Sequence, residues 1–387
     1  MNVLSAVSII VGIALLPIYL WESGSLQISH IALALGCASY IGGNGLRPRF
    51  PEKVLAVLAL FVFVRESTGA LGGVMDVRAF LPPLYMLFNL IVFMTIKMWA
   101  ATVDNQKLLA YGLLASAAVA ASGVFVLGYG LSVDVEGGRA VGTFNNPNQL
   151  GYFAVCLYSC AVLLFYGDVL SLRAFLALLL VSAFLVMVSL SKAATVGLGA
   201  SLVCVCFGFG RPTQRFLYGV FGGTLLLSLA VYLYAAGYLD GLAVTKRILD
   251  IGSDSDDSLA GRGYHVLYQA RSWEIFFGLG ESGVKEFVGH ELHSTVGSIL
   301  ANYGLIGAGL FVVFLVLWAK RLLNVIGLAG LFVVGAPPML YGLTHNGIRF
   351  TMFWVFLGLS FAVGRAKRSV VPASGPVRLG TNREQRK

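Results

Sequence analysis

Residues 171–190 have the sequence SLRAFLALLLVSAFLVMVSL, an apolar run in which Arg173 is the only charged residue. A run of about 20 apolar residues is long enough to cross a bilayer as one helix. The whole chain has a similar character, since 58% of its 387 residues are hydrophobic and only 12% are charged. Soluble domains carry about twice that share of charge. The composition therefore predicts a polytopic membrane protein and argues against soluble cofactor-binding folds and disordered proteins.

Twelve such runs occur along the chain, and each is a candidate transmembrane span. The third is the shortest and lies between Lys53 and Arg65. We therefore expect an all-α polytopic membrane protein with about 12 transmembrane helices. The candidate spans are residues 3–20, 28–43, 53–64, 80–100, 107–130, 149–167, 171–190, 193–210, 215–236, 294–318, 322–340 and 346–364.

Lysine and arginine are concentrated at every second connection between these spans. Short cytoplasmic loops retain positive charge, whereas translocated loops do not. By this rule 17 of the 27 basic residues lie on the cytoplasmic side, including Lys97, Lys320 and Arg321. Few acidic residues lie on that side, and Glu52 is one of them. Both termini are then expected in the cytoplasm. The formal net charge of +9 is mostly a topology signal, and nucleic-acid binding is not needed to explain it.

One connection, residues 237–293 between the ninth and tenth spans, is long enough to fold into structure of its own. It contains half of the 18 acidic residues and three of the five histidines. Loops of this length are usually functional or disordered. Its first half is expected to be solvated, and its second half, Arg262 to Phe277, alternates aromatic and charged residues as an interfacial helix does. The predicted regions are spans 1–236, periplasmic loop 237–293, spans 294–364 and a basic cytoplasmic tail 365–387.

Basic residues on the outer side run against the topological bias and are therefore informative. Contacts with lipid phosphates at span ends explain Arg65 and Arg78. Four others lie in short polar turns or in the long loop. Cations that different spans hold at one membrane face would suit binding of a lipid-linked diphosphate, because the forked guanidinium group matches the geometry of phosphate oxygens. The alternative explanation is that these cations make separate contacts with lipid headgroups. These candidate diphosphate ligands are Arg139, Lys192, Arg262 and Arg349.

His293 ends the long loop, immediately before the span that begins at Ser294. It would lie at the rim of any cavity between the helices, and an imidazole there suits general acid/base work. An isolated interfacial histidine is more often structural than catalytic, but the nearby cations favour a functional role. Further residues that could position an acceptor are Asn145, Asn148, His290 and His345.

No cofactor or metal site is predicted from the sequence. The five cysteines lie inside apolar runs and are expected to be small buried hydrophobes. Gly278–Gly283 matches the G-x-G-x-x-G pattern, but it follows no buried strand, and we interpret it as the turn that ends the interfacial helix. Asp254–Asp257 lacks the spacing of a calcium-binding loop.

An ordered set of motifs between residues 135 and 318 resembles the O-antigen ligase and O-antigen polymerase superfamily of bacterial envelope glycosyltransferases. Two departures concern the site: Lys192 stands where the family commonly has arginine, and Ser294 where it commonly has asparagine. The motifs are Arg139 followed by GTFNNPN (142–148), SLSK (189–192), Gly261-Arg262, FGLG (277–280), and His293 followed by GLIG (304–307).

The resemblance implies metal-independent transfer of a glycan from undecaprenyl diphosphate to a sugar hydroxyl at the periplasmic face of the bacterial inner membrane. The acceptor would be lipid A-core for a ligase, or a second lipid-linked repeat unit for a polymerase of O-antigen or exopolysaccharide. In this hypothesis Arg139 and Arg262 bind the diphosphate, Lys192 and Arg349 support them, and His293 accepts the proton of the acceptor hydroxyl or positions it.

Two other classes of function stay open at this point. A lipid-linked oligosaccharide flippase or transporter would share the span count, although transporters tend to place ionisable groups near the bilayer midplane and to show inverted repeats. A scaffold of an envelope assembly would have no particular use for the outer cations. Ligase and polymerase are not distinguished by the sequence.

Overall fold

The computed structural model describes residues 3–21, 25–71, 80–127, 139–208, 264, 266, 271–289 and 292–364. Within these residues the chain is helical, with turns and short irregular connections and without strands. The helices are α1 (Val3–Ala14), α2 (Ile28–Asn44), α3 (Phe50–Leu71), α4 (Leu81–Trp99), α5 (Val103–Leu127), α6 (Pro147–Tyr166), α7 (Leu172–Ser189), α8 (Lys192–Gly208), α9 (Ser272–Phe277), α10 (Gly280–Val288), α11 (Thr295–Thr344) and α12 (Thr351–Ala362).

Five of these helices are long and apolar enough to cross a membrane: α4, α5, α6, α7 and α11. The architecture is that of an α-helical membrane protein, which confirms the coarse prediction from composition. The ninth candidate span, the first half of the long loop and the basic tail lie outside the described residues. The total of 12 spans and the extent of the loop therefore stay predictions.

Glycine allows the first two helices to pack closely in opposite directions. Leu33 of α2 fills the space beside Gly12, and Ile9 of α1 fills the space beside Gly36. A side chain at either glycine would meet these neighbours, so the two backbones depend on small residues for their approach. The mirrored contacts show that α1 and α2 form an antiparallel pair.

Helix α11 is a hairpin with two antiparallel arms rather than one straight rod, and its first arm is interrupted at Gly304, where φ is 59°. Its backbone enters the left-handed region at Gly327, with φ 73°, a conformation that glycine adopts readily. Trp318 packs against Gly335 on the other side of this reversal. The two segments match the predicted spans 294–318 and 322–340, but the chain turns at Gly327 and not at the charged residues Lys320 and Arg321.

The prediction of a loop at Lys320 and Arg321 was wrong because Arg321 has a partner on a neighbouring helix. Its guanidinium donates to the carbonyl oxygens of Val363 at 3.0 Å and Phe361 at 3.5 Å, at the C-terminal end of α12. Helix C-termini leave carbonyl groups unsatisfied, and a basic side chain satisfies them well. The helix therefore continues through the charged pair.

Helix α3 extends past the predicted span 53–64 for a related reason. Arg65 donates through Nε to the carbonyl oxygen of Gly278 at 3.0 Å, and its guanidinium lies over the Trp273 ring at 5.8 Å. Glu66 accepts from the backbone N–H of Glu281 at 2.9 Å. Both residues are bound to the α9–α10 segment, so lipid phosphate is not needed to explain Arg65.

Glu52 and Lys97 form a buried ion pair that joins α3 to α4. Their side chains are 3% and 2% exposed. Lys97 lies near the end of its helix, as the span 80–100 predicts, whereas Glu52, which the sequence places in the loop before the third span, is a buried residue of α3. The Lys97 ammonium also lies over the Phe361 ring at 5.0 Å, which ties α12 to the same point. The pair lies in the first turn of α3 and the last turn of α4.

Removing one partner of this pair should destabilise the protein strongly. We expect Lys97→Met to lower the free energy of unfolding by about 3–5 kcal/mol, because it leaves a buried carboxylate uncompensated. The double variant Glu52→Leu with Lys97→Met should recover most of that loss. Reversible denaturant unfolding in bicelles measures both.

Lys107→Met is the matched control, since Lys107 pairs with Asp104 at 3.6 Å while both side chains are largely exposed. Its effect should stay below about 1 kcal/mol. Equal losses in Lys97→Met and Lys107→Met would contradict the buried pair.

Candidate functional site at one end of the helix bundle

Arg139 lies at the entrance to α6, where its guanidinium donates hydrogen bonds to oxygen atoms of Ser189 and Asn148. Its Nε donates to the carbonyl oxygen of Ser189 at 3.1 Å, and its Nη2 donates to Asn148 Oδ1 at 2.6 Å. The backbone N–H of Ala140 donates to the carbonyl oxygen of Val188 at 2.8 Å. The guanidinium is thereby fixed between the start of α6 and the end of α7.

The polar segment after Arg139 forms the start of α6. Asn146 is the N-cap and accepts from the backbone N–H of Gln149, and Pro147 occupies the first turn. This arrangement is favourable because a proline in the first turn loses no helical hydrogen bond and the cap satisfies a free N–H. Asn145 and Asn148 consequently point to different partners. Asn145 donates to the carbonyl oxygen of Trp21 at 2.9 Å, away from Arg139.

Tyr341 links this segment to the end of α11. Its hydroxyl donates a hydrogen bond to the backbone carbonyl of Asn148 and also contacts the Ser191 hydroxyl. Its ring stacks on Tyr152 with centroids 4.6 Å apart, which fixes the hydroxyl in place. The sequence analysis missed Tyr341. Its spacing of four residues before His345 at the end of an apolar run was the available signal.

The histidines of the hairpin lie together beside Tyr341. The His345 ring lies 4.9 Å from the Tyr341 ring, and the His293 ring lies 6.2 Å from the His345 ring. His293 is exposed and His345 is half-buried. Thr295 fixes their spacing, since its N–H and its hydroxyl both donate to the carbonyl oxygen of His345, at 3.0 and 2.6 Å. The exposed imidazole of His293 is thus reached by solvent and packs against the half-buried imidazole of His345.

Lys192 occupies the turn that joins α7 to α8. Helix α7 ends at Ser189, Leu190 adopts the left-handed conformation with φ 49°, and α8 begins at Lys192. The turn packs against Gly151 of α6, where a larger residue would collide with the Ser191 side chain. The turn predicted from SLSK is therefore present, and it places half-buried Lys192 next to the residue that contacts Tyr341.

Arg349, the fourth predicted diphosphate ligand, contacts a different part of the structure from Arg139. It forms an ion pair with Glu281 of α10, in a part of the molecule that also contains Glu66. A carboxylate therefore offsets its charge. Glu281 was missed by the sequence analysis because nothing local in the sequence connects it with Arg349.

Two of the predicted site residues, Arg262 and His290, lie outside the described residues. Tyr264, the nearest described residue after Arg262, bonds to the Ser294 hydroxyl at 2.8 Å and donates to the carbonyl oxygen of Leu343 at 3.1 Å. Its hydroxyl therefore lies between the two ends of the hairpin. Tyr264 was also missed by the sequence analysis.

The described residues contain no group of three or more histidine, cysteine or carboxylate side chains that could hold a metal ion. Cys37, Cys156 and Cys160 are buried, as expected of small hydrophobes, whereas Cys204 is only half-buried and the Cys206 side chain lies outside the described part of the structure. A fixed guanidinium can bind an anion, and an exposed imidazole can accept a proton or orient a hydroxyl.

No family model matches the chain, and no curated protein matches it.

Asn148→Asp provides a test of anion binding at Arg139. A carboxylate in place of the amide oxygen at 2.6 Å would pair with the guanidinium and repel an incoming anion. We expect the affinity for inorganic pyrophosphate, measured by calorimetry on protein in nanodiscs, to fall about tenfold or more, which corresponds to about 1.4 kcal/mol. The thermal stability should not decrease.

Asn105→Asp is the control, because the Asn105 side chain bonds to the carbonyl oxygen of Trp99 in a different part of the structure. Pyrophosphate affinity that is equal in both variants and in the unchanged protein would exclude Arg139 as an anion ligand.

Proposed function

We propose that this protein transfers a glycan from undecaprenyl diphosphate to a sugar hydroxyl at the periplasmic face of the bacterial inner membrane. The observation that carries the proposal is the connected group of Arg139, Asn148, Tyr341, His345 and His293. In this group, residues of α6 and α11 connect the fixed guanidinium of Arg139 with the exposed imidazole of His293. The reaction needs one group that binds an anion and one that activates a hydroxyl, and this connected group of residues contains both kinds.

The reaction balances without a metal or a nucleotide. The acceptor oxygen forms the new bond to the anomeric carbon of the lipid-linked sugar, while the bond from that carbon to the diphosphate oxygen breaks. The electron pair leaves with undecaprenyl diphosphate, and the hydroxyl proton passes to His293. A guanidinium that stabilises the charge developing on the diphosphate lowers the barrier because it interacts most strongly with the transition state.

Each residue takes a separate role in this proposal. Arg139 binds the diphosphate together with Arg262, and Lys192 adds positive charge from the neighbouring turn. His293 receives the proton, and Asn148 and His345 hold Arg139 and His293 in position. We no longer assign Arg349 to the diphosphate, because Glu281 offsets its charge. Asn145 is likewise left out, since its amide bonds to Trp21.

Substitutions of Arg139 and His293 test the proposal in cells. In a strain that lacks the chromosomal copy, Arg139→Ala should reduce glycan transfer about a hundredfold, as loss of a transition-state donor does. Arg139→Lys should retain an intermediate activity because it keeps the charge and loses the fork geometry. His293→Ala should also be strongly impaired. Electrophoresis of surface glycan, normalised to the amount of inserted protein, measures each variant.

Arg173→Ala is the control, because Arg173 lies at the start of α7, at the other end of that helix from Ser189. Wild-type glycan in correctly inserted Arg139→Ala and His293→Ala variants would refute the proposed roles.

The deletion strain also separates the two acceptors. Long glycan chains that are not attached to lipid A-core would indicate a ligase, whereas single repeat units attached to it would indicate a polymerase. Lipid-linked glycan that accumulates on the cytoplasmic side would instead indicate a flippase.

A further inference from the structure

The Tyr264 hydroxyl bridges the two ends of the α11 hairpin. It contacts the Ser294 hydroxyl at 2.8 Å and the carbonyl oxygen of Leu343 at 3.1 Å. Ser294 is the N-cap of the first arm, and Leu343 lies in the last turn of the second arm. Ser294 directly follows His293, and Leu343 lies two residues before His345. Tyr264 therefore holds the two arms together beside both imidazoles.

One direction of hydrogen bonding satisfies all of these groups. A carbonyl oxygen can only accept, so Tyr264 donates its single hydroxyl proton to Leu343. The Tyr264 oxygen then accepts the proton of the Ser294 hydroxyl. Ser294 Oγ accepts in turn from the backbone N–H of Gly297 at 3.0 Å. A Tyr264→Phe substitution would keep the aromatic ring and remove both hydroxyl contacts.

The Leu343 carbonyl group needs this donor because the second arm ends there. In a continuous helix it would accept from the N–H of Gly347, four residues later. That N–H instead donates to the Thr295 hydroxyl at 2.6 Å. Carbonyl groups in the last turn of a helix have no partner within the helix, which is costly in apolar surroundings. The Tyr264 hydroxyl thus completes the end of the hairpin.

Val266 attaches the same part of the chain to the residue on the other side of His293. Its side chain is 1% exposed. It belongs to a buried apolar cluster with Val284 of α10, Leu292 and Ala301 of α11. Leu292 directly precedes His293. Both chain neighbours of His293 are therefore held by the stretch that contains Tyr264 and Val266.

The position of an exposed side chain depends on the backbone that carries it. His293 is exposed, whereas its neighbours Leu292 and Ser294 are 4% and 0% exposed. The imidazole is therefore carried by a residue between two buried ones. Loss of the Tyr264 hydroxyl would release Ser294 from one of its contacts and allow His293 to shift with it.

We propose that Tyr264 is a positioning residue that holds His293, through Ser294, in a fixed place relative to the arm that ends at His345. This role rests on the proposed function, in which His293 receives the proton of the acceptor hydroxyl. Tyr264 acts through His293 and is not assigned to the diphosphate or to the acceptor. Its loss should therefore slow the transfer step and leave donor binding intact.

Kinetics of Tyr264→Phe in proteoliposomes test this role, with the lipid-linked glycan and the acceptor lipid extracted from the deletion strain. We expect kcat to fall about tenfold, because small displacements of a reacting group are costly. The KM for the lipid-linked donor should stay within about twofold, because the diphosphate binds at Arg139. In a His293→Ala background, Tyr264→Phe should have little further effect, since the group that it positions is gone.

Tyr166→Phe is the matched control, because the Tyr166 hydroxyl donates to the carbonyl oxygen of Val325 at 3.0 Å, near the reversal at the other end of the same hairpin. It removes the same kind of hydrogen bond and should leave kcat unchanged. Ser294→Gly tests the contact from its other partner in case Tyr264→Phe does not fold, since glycine is well tolerated as an N-cap. It should lower kcat as Tyr264→Phe does.

Hydrogen exchange measured by mass spectrometry, without any substrate, provides a second readout. Peptides that cover residues 290–300 should exchange about fivefold faster in Tyr264→Phe, the usual effect of one lost neutral hydrogen bond. The same peptides should exchange at the unchanged rate in Tyr166→Phe.

Unchanged exchange of these peptides in Tyr264→Phe and Ser294→Gly would overturn the positioning role, whether or not glycan is transferred. An unchanged kcat in these variants, or an equal loss of kcat with and without His293, would overturn it as well. If the unchanged protein forms no glycosidic bond, the proposed function fails instead, and exchange still decides whether Tyr264 holds the backbone at His293.

Discussion

The hydrogen bonds from Thr295 to the carbonyl oxygen of His345 hold the two ends of the α11 hairpin together, and the candidate site depends on them. Gly347 extends this contact, since its N–H donates to the Thr295 hydroxyl at 2.6 Å. Backbone groups in an apolar medium must find partners within the protein. The hairpin meets that requirement by closing on itself, and the closure brings His293 next to His345. Tyr341 then connects the same end to α6 and Arg139.

Positive charges serve different purposes at different places in the fold. Lys97 and Arg321 fasten helix ends by pairing with Glu52 and with the carbonyl groups of α12. Arg349 is paired with Glu281 of α10. Arg139 donates to the carbonyl oxygen of Ser189 and to the amide oxygen of Asn148, at an end of the bundle that also carries an exposed imidazole. The proposal therefore assigns the diphosphate to Arg139 and not to Arg349.

Much of the fold could be predicted from the sequence because transmembrane helices have a strong compositional signal. Most helix positions lie within a few residues of the predicted spans, and the SLSK turn is where the motif indicated. The errors arose where charges have distant partners. Glu52 was predicted as a loop charge, and Arg321 as part of a connection between spans, because tertiary pairing leaves no local trace in the sequence.

The candidate site was predictable only in part for the same reason. Arg139, Asn148, His293 and His345 stand out as polar residues beside apolar runs, and the structure brings them together through Tyr341. A tyrosine inside a span is ordinarily a packing residue, so there was little reason to select Tyr341 before its contacts were known. Arg349 and Glu281 are 68 residues apart in the chain, and only the packing of α10 against the end of α11 reveals that they are paired.

We propose that the end of the bundle carrying Arg139 and His293 transfers a glycan from a lipid diphosphate to an acceptor and releases the lipid diphosphate. The most direct measurement follows purified protein in proteoliposomes with a defined undecaprenyl-diphosphate-linked glycan and a sugar acceptor, using mass spectrometry of both products. Our account predicts one undecaprenyl diphosphate released for each glycosidic bond formed, without added metal or nucleotide. Movement of the intact lipid-linked glycan across the bilayer with no new glycosidic bond would contradict it.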